Sequence, residues 1–534
     1  MKNLVTAIAV GVMYAGMISC NNTDGIDAAQ SKFAVCDDGV RVHYKTSGEG
    51  DLAVVFVHGF GCDLRTWTKQ FHAFSSEDSL KQVYIDLPGF GKSDRPDVDY
   101  TLSYFAESVA RVLETEGVNK AVLVGHSLGT PICRQVAFEY PQLVAGIFDI
   151  DGVYCLYPQV NENSTDADRE AAAQYEMAVN AFAASFCGDS VAENIRNFAA
   201  SLSGPNTPAE VAEYALENMP NVDAKVACST MSNLIDRKWW TGQWLDVPTV
   251  VICTKNSGID PDNGKKMQAL YSNIDYVELD DCGHFIHMEQ PELVNNKLRE
   301  LLAYARSRSI NRIDVNGVNL LYEVAGEGKP VLLFHGNGGS HEAVETTAGQ
   351  LVRKGYKVYA VDSRGQGANE PLNEYHYADM AEDMYQFCKK LNIEKPAVYG
   401  WSDGGIVALM LEVLHPGTTS LMAISGANVH PRGVVNFEQF RADILAQNNP
   451  LSMMMVFEPN ITDSQMQGVN VPVLVCAGSA DLIVEEHTRH MAKMLPKAEL
   501  MIIEGEDHGS YIWHNPMMGE IFIEYLLRHG YTSK

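Results

Sequence analysis

The chain is short of positive charge. Against 68 Asp and Glu it sets only 40 Lys and Arg, a formal net charge of −28 over 534 residues. A surface that acidic repels phosphate backbones and argues against a nucleic-acid partner. Its 11 cysteines include no CxxC and no Cys/His ladder, so no structural zinc site is expected. Long apolar runs are equally scarce. After residue 18 no segment is long and apolar enough to span a bilayer. Mid-chain, "AYARSRSINRID" (303–314) has no Pro-, Gly- or Ser-rich spacer, which argues against domains strung like beads. What remains, 46% hydrophobic and 20% charged, is ordinary globular composition in a chain long enough for two large cores.

The one long apolar run stands at the start, in "MKNLVTAIAVGVMYAGMISC". A lysine, an apolar stretch from Leu4 to Ile18 and a small Ser19 before Cys20 read as a secretory signal. With the polar "NNTDG" that follows, the segment resembles a bacterial lipoprotein processing site. That resemblance implies that residues 1–19 are removed, Cys20 is lipidated and 20–30 form a tether. The body would then sit in the bacterial cell envelope as a membrane-anchored lipoprotein, periplasmic or surface-exposed. In an exported protein some of the other cysteines can pair, with a connectivity their spacing does not give.

What the chain has in abundance is self-similarity. "VVFVHGFG" (54–61) is answered by "VLLFHGNG" (331–338), and "YIDLPGFGKSDRP" (84–96) by "YAVDSRGQGANEP" (359–371). "AVLVGHSLG" (121–129) corresponds to "AVYGWSDGG" (397–405), and "VPTVVICTKN" (247–256) to "VPVLVCAGSA" (471–480). A repeat this long marks two whole domains, 31–308 and 309–534. In each, short β-branched runs alternate with helical patterns, which predicts an α/β fold with a mainly parallel sheet and helices on both faces. The interval from the central Ser to the late strand is much longer in the first copy, Ser127 to Val247 against Ser402 to Val471. The excess is helical and Ala-rich, which predicts a lid over about 152–246 and only a small lid in the second copy.

"GHSLG" (125–129) and "GWSDG" (400–404) both fit G-x-S-x-G, a pattern that sets a serine on a strained strand-to-helix turn. Each follows an apolar strand, with HG upstream and His downstream. The constellation resembles the α/β-hydrolase superfamily over residues 36–534. The resemblance implies a serine hydrolase that cleaves small-molecule carboxylic esters through an acyl-enzyme, without metal or cofactor. In the second copy it implies Ser402, Asp481 and His508 as nucleophile, acid and base, with the Asn337 and Asp403 N–H groups as oxyanion donors. "GWSDGGIVALMLEVLHPG" further resembles the valacyclovirase branch, which cleaves amino-acid esters; there the residue after the nucleophile binds the substrate ammonium, a role that falls on Asp403.

In the first copy Ser127 and His284 are clear, with Phe60 and Leu128 as oxyanion donors. Register puts Ser257 opposite Asp481, and a hydroxyl cannot stabilise imidazolium as a carboxylate does. The acid is then Asp151, at the end of "GIFDID", or Asp260, three residues past Ser257. Asp151 is preferred; Gly426 holds its place in the second copy. His58, His335, His287 and His514 are expected to pack or to shape loops. Trp239, Trp240 and Trp244 are candidates to line an acyl pocket. The same triad chemistry serves amidases, peptidases, thioesterases and C–C bond hydrolases. A different reading makes one copy a ligand-holding or scaffold pseudoenzyme.

Overall fold

A computed structural model describes residues 25–533, apart from 78, 162–163, 241–244, 246, 257–262, 269 and 272–273. The first copy folds around β1 (Gln30–Val35), β2 (Arg41–Ser47), β3 (Ala53–Val57), β4 (Lys81–Ile85), β5 (Ala121–His126), β6 (Val144–Ile150), β7 (Thr249–Thr254) and β8 (Ile274–Leu279), in the order β1-β2-β4-β3-β5-β6-β7-β8. The second repeats that order with β9 (Ser309–Val315), β10 (Val318–Ala325), β11 (Pro330–Phe334), β12 (Lys357–Val361), β13 (Ala397–Trp401), β14 (Leu421–Ser425), β15 (Val473–Gly478) and β16 (Ala498–Ile503). Only the first two pairings in each sheet are antiparallel; all the others run parallel.

The central strands are continuous apolar runs because both of their faces are covered. Along β3, Val55 and Val57 enter the core on one side of the sheet, and Val54 and Phe56 the core on the other. In β11, Leu332 and Phe334 divide in the same way from Val331 and Leu333. That period of two forces a three-layer arrangement. The edge strands β1 and β9 escape the hydrophobic pattern because most of their residues are exposed, whereas β2 and β10 are largely buried yet carry polar residues such as His43, Lys45 and Glu323, each held by a partner.

The two units adjoin directly. The helix Pro291–Ser307 leads into β9 with only Arg308 between them. Arg308 is held by Glu323 (2.8 Å) and Glu345 (2.9 Å) of the second unit. Ala325 of β10 lies in a core of the first unit, and Val352 packs against cores of both.

Between β6 and β7 the first unit inserts helices Asp166–Ala184, Val191–Ser201, Ala209–Asn218 and Ala224–Leu234. A disulfide joins Cys187, in the turn after the first of these, to Cys228 on the last. The other eight described cysteines are buried. The second unit inserts three helices, Phe437–Gln447, Pro450–Phe457 and Asp463–Gly468.

Candidate active site

Each G-x-S-x-G serine stands on a sharp turn with a left-handed backbone, Ser127 and Ser402 both at φ +53°. The flanking glycines follow from crowding. A Cβ on Gly125 would lie 2.6 Å from the Gly129 carbonyl oxygen, and one on Gly129 2.1 Å from that of Val57. Gly400 and Gly404 face the same limit at 2.2 and 2.3 Å. The strained turn is pinned to the adjacent strand by the serine's own N–H, which donates to Ile150 O (3.0 Å) in one unit and to Ser425 O (2.7 Å) in the other.

In the second unit a continuous relay crosses three chain segments. His508 Nε2 meets Ser402 Oγ at 3.0 Å, and His508 Nδ1 meets Asp481 Oδ1 at 2.7 Å. Backbone N–H groups of Ile483 (2.9 Å) and Gly478 (3.3 Å) hold the Asp481 carboxylate. In the first unit His284 Nδ1 meets Asp151 Oδ2 at 2.6 Å, and the Thr254 N–H donates to Asp151 Oδ1 at 3.1 Å. Among the described residues the Ser127 hydroxyl makes no hydrogen bond to His284.

The two carboxylates arrive from different strands and reach equivalent places. Thr254 and Gly478 both end the seventh strand of their sheets, and each donates its N–H to the acid. Asp151 (φ +44°) and Gly426 (φ +57°) likewise correspond, with N–H groups on Ile252 O and Cys476 O. A Cβ on Gly426 would stand 2.8 Å from the His508 ring and 3.3 Å from Asp481 Oδ2. Only one of the two positions can therefore carry an acid. Asp260, with Ser257, Trp244 and Cys20, lies outside the described residues.

A family model of the alpha/beta hydrolase fold matches residues 53–291 and 329–435, more than half of the chain. The chain belongs to the alpha/beta hydrolase fold family. It is 37% identical over 124 residues to the dihydrolipoyllysine-residue acetyltransferase component of the acetoin cleaving system of Cupriavidus necator, over 23% of this chain and 33% of that protein. It is 37% identical over 134 residues to serine hydrolase BPHL of Homo sapiens, over 24% of this chain and 46% of that one. An esterase from Exiguobacterium antarcticum aligns with a TM-score of 0.44 at 16% identity, covering 52% of this chain and 100% of its own. The chain spans about a third of the length of the first curated relatives it matches.

The two candidate sites differ in burial. Ser127, His284 and Asp151 are all buried, whereas Ser402 is half-buried and the His508 side chain is 23% exposed. Burial pushes the Asp151 carboxyl up and the His284 imidazole down, the latter to about 3. Above Ser127 opens a cavity of 310 Å³, walled by Phe60, Tyr154, Val179, Phe182, Phe198 and Leu234 among others. Trp239 and Trp240 are not among its lining residues. Trp240 donates Nε1–H to Leu234 O and packs edge-on against Tyr154, while Trp239 lies under Lys238. The insertion instead turns Tyr175 and Phe182 of its first helix inward, which helical spacing alone does not distinguish from lid packing.

Tyr154 rests on a feature the sequence did not announce. Its hydroxyl (2.5 Å) and that of Tyr271 (2.7 Å) both donate to Asp149 Oδ2. Burial pushes the Asp149 carboxyl up to about 7. In the second unit Asp403 is buried beside Ser402 and takes hydrogen bonds from Asn337 Nδ2 (2.8 Å) and Tyr377 OH (2.7 Å). Both donors are neutral, and burial raises this carboxyl as well. The Phe60, Leu128, Asn337 and Asp403 N–H groups make no hydrogen bond among the described residues. His58 and His335 shape the HG turns, accepting on Nε2 from Leu87 N (3.1 Å) and Ser363 N (2.9 Å). His287 packs on Trp67 with Nε2 at Thr66 Oγ1, 2.8 Å.

Proposed function

We propose that this hydrolase cleaves carboxylic esters through acyl-serine intermediates at two sites of different preference. The observation that carries the reading is the Ser402–His508–Asp481 relay, with contacts of 3.0 and 2.7 Å. His508 Nε2 takes the Ser402 proton as Oγ attacks the ester carbonyl. The carboxylate holds the Nδ1–H tautomer and stabilises the imidazolium. The free N–H groups of Asp403 and Asn337 receive the oxyanion, and Phe60 and Leu128 do so in the first unit. The leaving alcohol takes its proton from His Nε2. Water then attacks the acyl-serine by the reverse proton path. Ser127, His284 and Asp151 repeat these roles.

The preferences follow from what surrounds each serine. The largely apolar cavity above Ser127 suits an uncharged acyl chain. Beside Ser402, the Asp403 carboxylate with only neutral donors suits an ester bearing an ammonium. A lipid on Cys20 would hold both sites at the cell envelope, and the Cys187–Cys228 disulfide fits that oxidising setting. Cys20→Ser should then move the protein from the membrane to the soluble fraction.

A fluorophosphonate probe tests the chemistry. Both serines should label, Ser127 alone in Ser402→Ala and Ser402 alone in Ser127→Ala. No labelling at either would reject the hydrolase reading; labelling at Ser402 alone would leave the first unit as a pseudoenzyme.

A further inference from the structure

The residue before each nucleophile differs between the copies, His126 in one and Trp401 in the other. Both side chains nevertheless reach the same atom. His126 Nε2 lies 3.1 Å from the backbone oxygen of His284, and Trp401 Nε1 lies 2.9 Å from that of His508. A carbonyl oxygen only accepts, so His126 carries its proton on Nε2, as indole Nε1 always does. Two unrelated heterocycles thus present one N–H to one carbonyl, and donation is the property they share with that partner.

We infer that His126 and Trp401 are positioning residues that tether the backbone of the catalytic histidine to the nucleophile's own strand. The histidine needs such a tether because it stands on a loop after the last strand, His284 beyond Leu279 and His508 beyond Ile503. Its ring must hold two partners at hydrogen-bond distance. A bond from the residue next to the serine fixes the base relative to the nucleophile through one short bridge. The first unit adds a second hold, since the His284 N–H donates to Leu202 O of the inserted helices at 2.9 Å. Among the described residues the His508 N–H has no backbone partner, so the second unit leans more heavily on its Trp401 bridge.

This inference rests on the serine-hydrolase reading for its effect on rate, and its test separates the two. In the Ser127→Ala background, Trp401→Phe removes the donor and keeps a ring, whereas Trp401→His restores a donor that already reaches this carbonyl in the first unit. In the Ser402→Ala background, His126→Leu and His126→Gln make the same contrast inside a tighter pocket. Saturation kinetics with the fluorophosphonate probe should show the maximal labelling rate falling by about 10- to 100-fold in Trp401→Phe and His126→Leu, with the half-saturating concentration unchanged. Trp401→His and His126→Gln should recover most of that loss. Hydrogen exchange in segments 282–286 and 507–511 should speed up in the donor-less variants alone. Equal loss in the Phe and His variants at position 401, or no change in rate and exchange, would overturn the tether. Unlabelled wild-type serines would reject the hydrolase reading, and hydrogen exchange would still decide the tether.

Discussion

Asp151→Asn is the sharpest perturbation of the first unit. The carboxylate has two commitments: Oδ2 accepts the proton of His284 Nδ1 at 2.6 Å, and Oδ1 accepts from Thr254 N at 3.1 Å. An asparagine can satisfy one. With its oxygen on Thr254 N, its NH₂ faces Nδ1 and forces the imidazole into the Nε2–H tautomer, which cannot take a proton from Ser127. Turned over, its NH₂ opposes the Thr254 N–H, a buried donor–donor contact costing about 1–3 kcal/mol. In serine enzymes the corresponding loss of the acid lowers turnover by about 10⁴-fold, or about 5.5 kcal/mol of transition-state stabilisation. Fluorophosphonate labelling of Ser127 in Ser402→Ala should therefore fall by about three to four orders of magnitude. Asp260→Asn should label like the parent. Retention of more than about a tenth of the rate in Asp151→Asn would refute the assignment of the acid.

Gly426→Ala should cut Ser402 labelling at least about tenfold while the protein stays folded, because its methyl would meet the His508 ring at 2.8 Å; labelling rate against thermal melting separates the two effects. Burial holds His284 neutral down to about 3, and it depresses the adjacent His126 and His287 as well. The imidazole thus stays unprotonated as pH falls, while burial raises the Asp151 carboxyl it pairs with, so any loss of Ser127 labelling from about pH 7 to about pH 5 should report protonation of that carboxyl and be absent from the residual labelling of Asp151→Asn. Opening the Cys187–Cys228 disulfide, 41 residues apart, releases a loop constraint of about 4 kcal/mol. Cys187→Ser should therefore make the insertion more sensitive to limited proteolysis and leave Ser402 labelling unchanged.

Much of the fold is legible in the sequence because it rests on local patterns. The buried parallel strands announce themselves as apolar runs such as Val54–Val57 and Val331–Phe334. The edge strands β1 and β9 carry no such signal, since polar residues suit their exposed faces, and in β2 and β10 buried polar residues such as Lys45 and Glu323 interrupt it. At the sites the serines and histidines stand out by motif and order. The cavity walls do not, because Tyr175 and Phe182 obey the same helical spacing whether they face a substrate or another helix. Trp239 and Trp240, the conspicuous aromatics, turned elsewhere, and Asp149 was hidden inside a strand.

The sequence alone determined the elbows, since only glycine fits at Gly125, Gly129, Gly400 and Gly404 around a serine with a left-handed backbone, a steric rule read from five residues. It also determined that Asp481 has no counterpart at Ser257. Tertiary structure decided which atom meets His284. Asp151 lies 133 positions away, and the two touch because β6 ends beside β7 and the Thr254 N–H turns the carboxylate toward the ring. Such a contact depends on where strand ends converge, and the second unit satisfies the same point in space from Asp481 with a glycine left at Gly426.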